Sequence, residues 1–244
     1  MNGGINRQSK LPLYQQLYEV LRAAITRGEW KPGDMIPAES ELIERFGVSR
    51  ITVRQVLDML VREELIYRER GRGSFVSHPT VEQMLQRLIS FTDDMRQRGF
   101  EPSTRLISSE LLPAPEEIAR ALRVPTGEEL ARIVRLRLAD GEPMSVEESY
   151  LVHSLAPGVL ELDVVGTPLR EQLDRQYGIR WERAHQTLRA VNAPRQLAQA
   201  LGVKPGAALL AIERVSFTPQ GAPVEFLRIY HRGDRYSLSA DLKG

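Results

Sequence analysis

Two pairs of arginines are spaced for different chemistry. Arg50 and Arg54 stand one helical turn apart in Ser49-Arg50-Ile51-Thr52-Val53-Arg54-Gln55. On a helix both guanidiniums leave from one face, with Thr52 and Gln55 beside them and Ser49 at the start. Such a face suits phosphates and the acceptor edge of guanine. Downstream, Arg70-Gly71-Arg72-Gly73 joins arginines suited to a phosphate wall or the negative minor groove with glycines that let backbone approach a groove floor. Arg135 and Arg137 are two residues apart, the strand period, so both project from one face of a sheet and could grip one phosphate or carboxylate. Ser90 and Thr92 add hydroxyls, and the backbone amides of their loop add donors. Glu147 and Glu225 could accept hydrogen bonds from sugar-like hydroxyls. The same spacing also suits a plain cross-strand salt bridge of Arg135 or Arg137 with Glu147.

Other chemistries lack their residues. The absence of cysteine removes disulfides, zinc fingers, iron-sulfur sites and a thiol nucleophile, and suits a reducing compartment. His78, His153, His185 and His231 show no metal-ligand spacing, so no metal and no cofactor is expected. His231 could sense ligand charge or be an ordinary hydrogen-bonded strand residue. No paired carboxylates, nucleophile elbow or phosphate loop marks an enzyme. Lysine plus arginine total 33 against 32 acids, a net charge of +1 on 244 residues, which rules out a wholly basic chromatin-type protein. Between Arg45 and Arg72, however, seven arginines face four acids, a local basic excess. The 42% hydrophobic and 27% charged residues describe a globular chain. Met1 to Lys10 is polar, and no apolar run approaches the roughly 20 residues that span a bilayer. A cytoplasmic protein with no membrane partner is expected.

The elements that must position these residues follow from periodicity. Leu13, Leu17, Leu21, Ala24 and Ile25 form one helical stripe up to about Arg27. Lys31-Pro32-Gly33-Asp34 turns the chain, and a short helix from Ala38 to Phe46 is closed by Gly47 as a left-handed cap. Ser49 then caps a third helix with Val53, Val56, Leu57 and Leu60 inward. Leu65-Ile66-Tyr67 and Ser74-Phe75-Val76 flank the Arg-Gly turn as a hairpin. Three helices and a hairpin make a winged helix-turn-helix. His78-Pro79-Thr80 ends the hairpin, and Val81 to Leu88 reads as a polar connector compatible with a helix.

The remainder repeats itself. Residues 114–136 laid over 193–215 match at ten of 23 positions, including Ala114/Ala193, Pro115/Pro194, Leu122/Leu201, Gly127/Gly206 and Arg135/Arg214. One residue further on, Gly141-Glu142-Pro143 matches Gly221-Ala222-Pro223, and Tyr150 falls opposite Tyr230. Each copy reads as a strand (Thr104 to Leu111; Ala184 to Val191), a helix opening at Ala-Pro, a strand, a turn and a strand. Two such halves sharing one antiparallel sheet, with the helices packed on one face, give an α+β domain.

Leu11 to Leu17, Gly28 to Glu39, Gly47 to Gln55 and Gly71 to Val76 closely resemble, in order and spacing, the DNA-binding domain of GntR-type bacterial transcription regulators. The resemblance implies that Arg50 and Arg54 contact DNA from a recognition helix, that Thr52 contacts a phosphate, and that the Gly71 to Gly73 wing tip enters the minor groove. Ser40 stands where many members carry arginine. Ser90-Phe91-Thr92-Asp93-Asp94-Met95-Arg96, Arg98 to Pro102, Ala139 to Pro143 and Tyr230-His231-Arg232-Gly233-Asp234-Arg235-Tyr236 resemble the UTRA effector domain of the HutC subfamily. That domain is similar in fold to chorismate lyase, and its members mostly sense small anions such as phosphosugars. Thr167-Pro168-Leu169 stands where phosphosugar-sensing relatives tend to have serine and, two residues on, tyrosine. His231 stands for a second tyrosine, so a different anion is open.

The expected fold class is α+β: a winged helix-turn-helix over residues 1–78, a linker over 79–88, and a chorismate-lyase-like UTRA domain for effector binding and dimerisation over 89–244. The expected function is a homodimeric, ligand-responsive transcription regulator, a repressor released from double-stranded operator DNA by a small anionic effector. Its DNA contacts are Ser49, Arg50, Thr52, Arg54, Gln55, Arg70, Gly71, Arg72 and Gly73. Its effector contacts are Ser90, Phe91, Thr92, Arg135, Arg137, Glu147, Thr167, Glu225, Tyr230 and His231. The alternatives are an enzyme acting on a small anion, with the winged helix as targeting module, and an architectural DNA-binding protein.

Overall fold

The computed structural model describes residues 5–9, 11–77, 81–84 (backbone) and 89–240. The chain divides into two compact units, residues 1–79 and 80–244. In the first, α1 (Leu13–Thr26), α2 (Glu39–Phe46) and α3 (Arg50–Arg62) precede a hairpin of β1 (Ile66–Glu69) and β2 (Gly73–Val76). The expected stripes are the buried ones: Leu17 and Leu21 from α1 and Val53, Val56, Leu57 and Leu60 from α3 join Leu42, Ile66 and Val76 in one core, and Ala24 is buried as well. Burying each leucine contributes about 1.5–3 kcal/mol. Gly47 takes the left-handed conformation, φ 62°, that ends α2, and Arg7 Nη2 donates to its carbonyl at 2.7 Å. The hairpin pairs Ile66 with Val76 through Glu69 with Gly73.

In the second unit the repeat becomes two three-stranded halves of one antiparallel sheet. The first half is β4 (Pro102–Pro113), β5 (Glu129–Ala139) and β6 (Glu142–Val152), preceded by β3 (Val81–Met84) and α4 (Phe91–Gln97), with α5 (Glu116–Leu122) between β4 and β5. After two 3₁₀ turns come α6 (Leu169–Tyr177), β7 (Arg183–Asn192), α7 (Arg195–Leu201), β8 (Ala208–Phe217), β9 (Pro223–Arg232) and β10 (Tyr236–Ser239). The order β4-β5-β6-β9-β8-β7 joins the halves through their last strands. Glu148 and Arg228, opposite each other in that central ladder, are also equivalents in the repeat. The helices cross over, α5 packing on β9 and α7 on β6, so each half covers the other.

Two expectations need correction. The helices do not all lie on one face. Ala131, Ile133 and Leu151 on the other face pack against Leu169 and Leu173 of α6, and Met95 of α4 packs against Ala139 and Met144. An α+β sheet whose second face is also apolar must bury it too. The connector is not helical in its first part either: Val81–Met84 pairs in parallel with Tyr236–Ser239, because an unpaired edge of backbone donors and acceptors takes whatever strand reaches it. Residues 78–80 and 85–88, the rest of the hairpin end and connector, lie outside the described residues, as do residues 1–4 and 10. Among the described residues no helix is long and apolar enough to cross a membrane.

Candidate nucleic-acid interface and anion pocket

The 100° step of a helix puts residues 51, 54 and 55 on the side of α3 away from its buried stripe, with Arg50 in the first turn at the edge of that stripe, and all four are exposed. The other two expected contacts serve α3 itself. Ser49 Oγ accepts from the Thr52 amide at 3.1 Å, and the two hydroxyl oxygens lie 2.8 Å apart, a capped helix start. Arg54 Nε is held by the Glu39 carboxylate at 3.1 Å with most of its side chain in solvent. Arg70, Gly71, Arg72 and Gly73 form the exposed wing tip. Gly71 has φ 76° and Gly73 φ 130°, values that glycine alone adopts without strain. Arg72 pairs with Glu69 and lies over the Phe75 ring, which stacks on Tyr67 at 5.6 Å. Arg68 reaches Asp58 of α3 at 2.9 Å, tying the wing to the helix, a link that spacing along the sequence did not flag.

In the second unit, the residues of β5 facing α4 and α6 run Ala131, Ile133, Arg135, Arg137, Ala139. The apolar ends sit under the two helices, and the two arginines fall in the gap. They are 6% and 4% exposed. Arg135 Nη2 donates to Glu147 Oε2 at 3.0 Å; Arg137 Nε lies 3.8 Å from the same oxygen. The cross-strand salt bridge is therefore present, inside the expected pocket rather than instead of it. Arg137 also donates to Thr92 Oγ1 at 3.0 Å and Thr104 Oγ1 at 2.8 Å and stacks over Phe91, 4.8 Å from its ring centre.

The arginine pair borders a partly open chamber of about 90 Å³. Phe91, Arg135, Arg137, Glu147, Glu225 and His231 all line it, and it adjoins a wider cleft of about 880 Å³ lined by Thr92 and Thr167. Ser90 borders both spaces, but its hydroxyl accepts from the Asp93 amide and donates to the Asp93 carboxylate at 2.7 Å. It shapes the turn that presents Phe91 and Thr92. Tyr230 is the misplaced candidate. Successive strand residues face opposite ways, so with His231 in the chamber Tyr230 lies on the other face, against Val146 and the α7 cluster. Arg214 also lines the chamber and was missed, although the repeat had paired it with Arg135. Trp181, Arg170 and Tyr236 line it too without a signal in spacing.

The chamber's charges are set by burial. Burial raises the Glu147 carboxyl, but Arg137 and Arg135 outweigh it and hold Glu147 below its ordinary range. At Glu225 burial outweighs the pull of Arg135 and Arg214 and pushes the carboxyl up to about 7; Ser216 Oγ donates to it at 3.4 Å. Burial pushes His231 down to about 3, so its imidazole is neutral, stacked on Tyr236 at 3.7 Å. Asp94 is neutralised by Arg98 at 2.8 Å. Four arginines, Arg135, Arg137, Arg170 and Arg214, thus border a chamber in which Glu147 is the firmly ionised carboxylate. Arg135 Nε, Arg137 Nε, Trp181 Nε1 and His231 Nδ1 are buried without a hydrogen-bond partner.

Residues 13–76 match the gntR family of bacterial regulatory proteins and residues 97–237 match the UTRA domain. The chain is 41% identical over 234 residues to the HTH-type transcriptional repressor NagR of Bacillus subtilis, covering 96% of each chain. It is 34% identical over 146 residues to the mannosyl-D-glycerate transport/metabolism system repressor MngR of Escherichia coli, 60% of this chain and 61% of that one. The crystal structure of PhnF from Mycobacterium smegmatis superposes with a TM-score of 0.70 at 28% identity, over 93% of this chain and 99% of that one.

Proposed function

Because this chain belongs to the gntR family of bacterial regulatory proteins, carries a UTRA domain, and is a DNA-binding transcription regulator rather than an enzyme, we propose that it is a cytoplasmic repressor whose operator binding a small anion relieves. Working as a homodimer, it would set two α3 helices and two wings on a pseudo-palindromic operator, its half-sites a whole number of helical turns apart. The exposed Arg50, Arg54 and Gln55 supply base and phosphate contacts, and the Arg70 to Gly73 tip the groove contact.

The effector reading rests on the unpaired donors of the chamber. Arginine Nε–H and tryptophan Nε1–H can only donate, and each buried donor left unmet costs about 1–3 kcal/mol. Three such donors around one chamber, with guanidiniums in excess of carboxylates, favour an acceptor-rich anion. Glu147 and Glu225 add acceptors for hydroxyls, which favours a phosphosugar or sugar acid over a bare anion. The names of NagR and MngR, both repressors, support repression. A thermal-shift screen of phosphosugars, phosphonates and hydroxy-carboxylates tests the reading. A member of these classes should raise the melting temperature of the full chain but not of Arg135→Ala, and should weaken operator binding in a gel shift. Stabilisation that survives Arg135→Ala would place the effector elsewhere.

A further inference from the structure

Ile51 is 80% exposed, the most exposed large hydrophobic residue among those described, and nothing in the first unit's packing calls for it. The buried stripe of α3 is complete without it. A β-branched residue is also a weaker helix former than many polar ones. Single exposed aliphatics are ordinary on protein surfaces, so position must decide. Ile51 lies in the first turn of α3, the part of a recognition helix that reaches base edges, beside Arg50 and on the same face as Arg54 and Gln55. The hydrogen-bonding groups around it are partly committed, Ser49 and Thr52 to the cap and Arg54 to Glu39. The major groove offers one apolar group along its floor, the C5 methyl of thymine, and an aliphatic side chain there discriminates thymine by burying it.

We propose that Ile51 reads a thymine methyl in the major groove, a base-specific contact alongside the guanidiniums of Arg50 and Arg54. The inference rests on the reading of α3 as the DNA-recognition helix. Burial of one methyl-sized group corresponds to about fourfold in affinity. The full-length protein is first used to select duplexes from a random library, and each thymine of the recovered motif is then changed singly to uracil, which removes only the methyl. The wild type should lose about fourfold in affinity at one or more thymines. Ile51→Ala, which improves helix propensity at an exposed site and so keeps the fold, should bind the thymine duplex about fourfold more weakly and be indifferent to uracil at that position. Identical uracil profiles in the two proteins, or a motif lacking thymine at the positions that Arg50→Ala relaxes, would overturn the proposal and leave the recognition helix standing. If Arg50→Ala, Ile51→Ala and Arg54→Ala all bind as the wild type does, α3 is not the reader and the proposal falls with it.

Discussion

The two arginine pairs show how one side chain serves two kinds of anion recognition. Arg50 and Arg54 are exposed on a helix; their charges stay hydrated, screened by salt and ready for a polyanion that brings many phosphates. Arg135 and Arg137 are buried on a strand around Glu147, where desolvation has already been met by folding and the effective dielectric is low. The exposed pair suits salt-dependent affinity for a long polymer. The buried pair suits discrimination among small molecules of one size and charge.

The sharpest break of that contrast is Arg135→Ala, which leaves Glu147 with only Arg137 at 3.8 Å. Unfolding free energy by urea titration should fall by about 3 kcal/mol, operator affinity should persist, and effector release should vanish. A loss below about 1 kcal/mol would mean that the buried pair behaves like a surface one.

Next come two opposed titrations in the chamber. Glu225, raised to about 7, binds a proton in the folded chain that the unfolded chain has released, so its contribution to stability is present at acid pH and lost as pH rises from about 4.5 to 7. His231, lowered to about 3, does the reverse, its contribution being lost as pH falls from about 6.5 to 3. The two offset one another where their windows overlap. Glu225→Gln should therefore uncover stability that rises with pH to about 6.5, and His231→Asn stability that falls towards pH 7. Each slope should be up to about 1.4 kcal/mol per pH unit in chemical unfolding across pH. Flat profiles in both variants would show that neither group is desolvated.

Arg54→Ala should leave stability within about 0.5 kcal/mol and weaken operator binding by about 1–3 kcal/mol if Arg54 reads a base, or mainly flatten the salt dependence if it holds a phosphate. Unchanged gel-shift affinity would remove it from the interface. Glu39→Gln, which unpairs Arg54 at the surface, should cost less than about 1 kcal/mol of stability; a larger loss in a thermal melt would place that pair with the buried one.

What was legible in the chain was local or repeated. Caps, turns and stripes in the first unit depend on neighbours within four residues, and Ser49, Gly47 and the α3 stripe stand as expected. The repeat disclosed the two halves of the sheet, and its Arg135/Arg214 match pointed to a further chamber arginine. Tyr230 and His231 were adjacent in a matching motif, yet strand alternation allows only one of them into the chamber. Pairings between distant segments left no local trace. Val81 meets Tyr236 from the far end of the chain, and Trp181 joins the chamber from a loop between α6 and β7, so neither could be read from spacing.

The pairing of β3 with β10 has a consequence for how such a chain bears load. The first and last described strands of the second unit lie side by side and run parallel, so Val81, where the first begins, and Ser239, where the last ends, stand at opposite ends of one four-residue ladder. A pull on the chain at either strand therefore loads this short two-stranded ladder and not the six-stranded sheet that holds the pocket arginine pair.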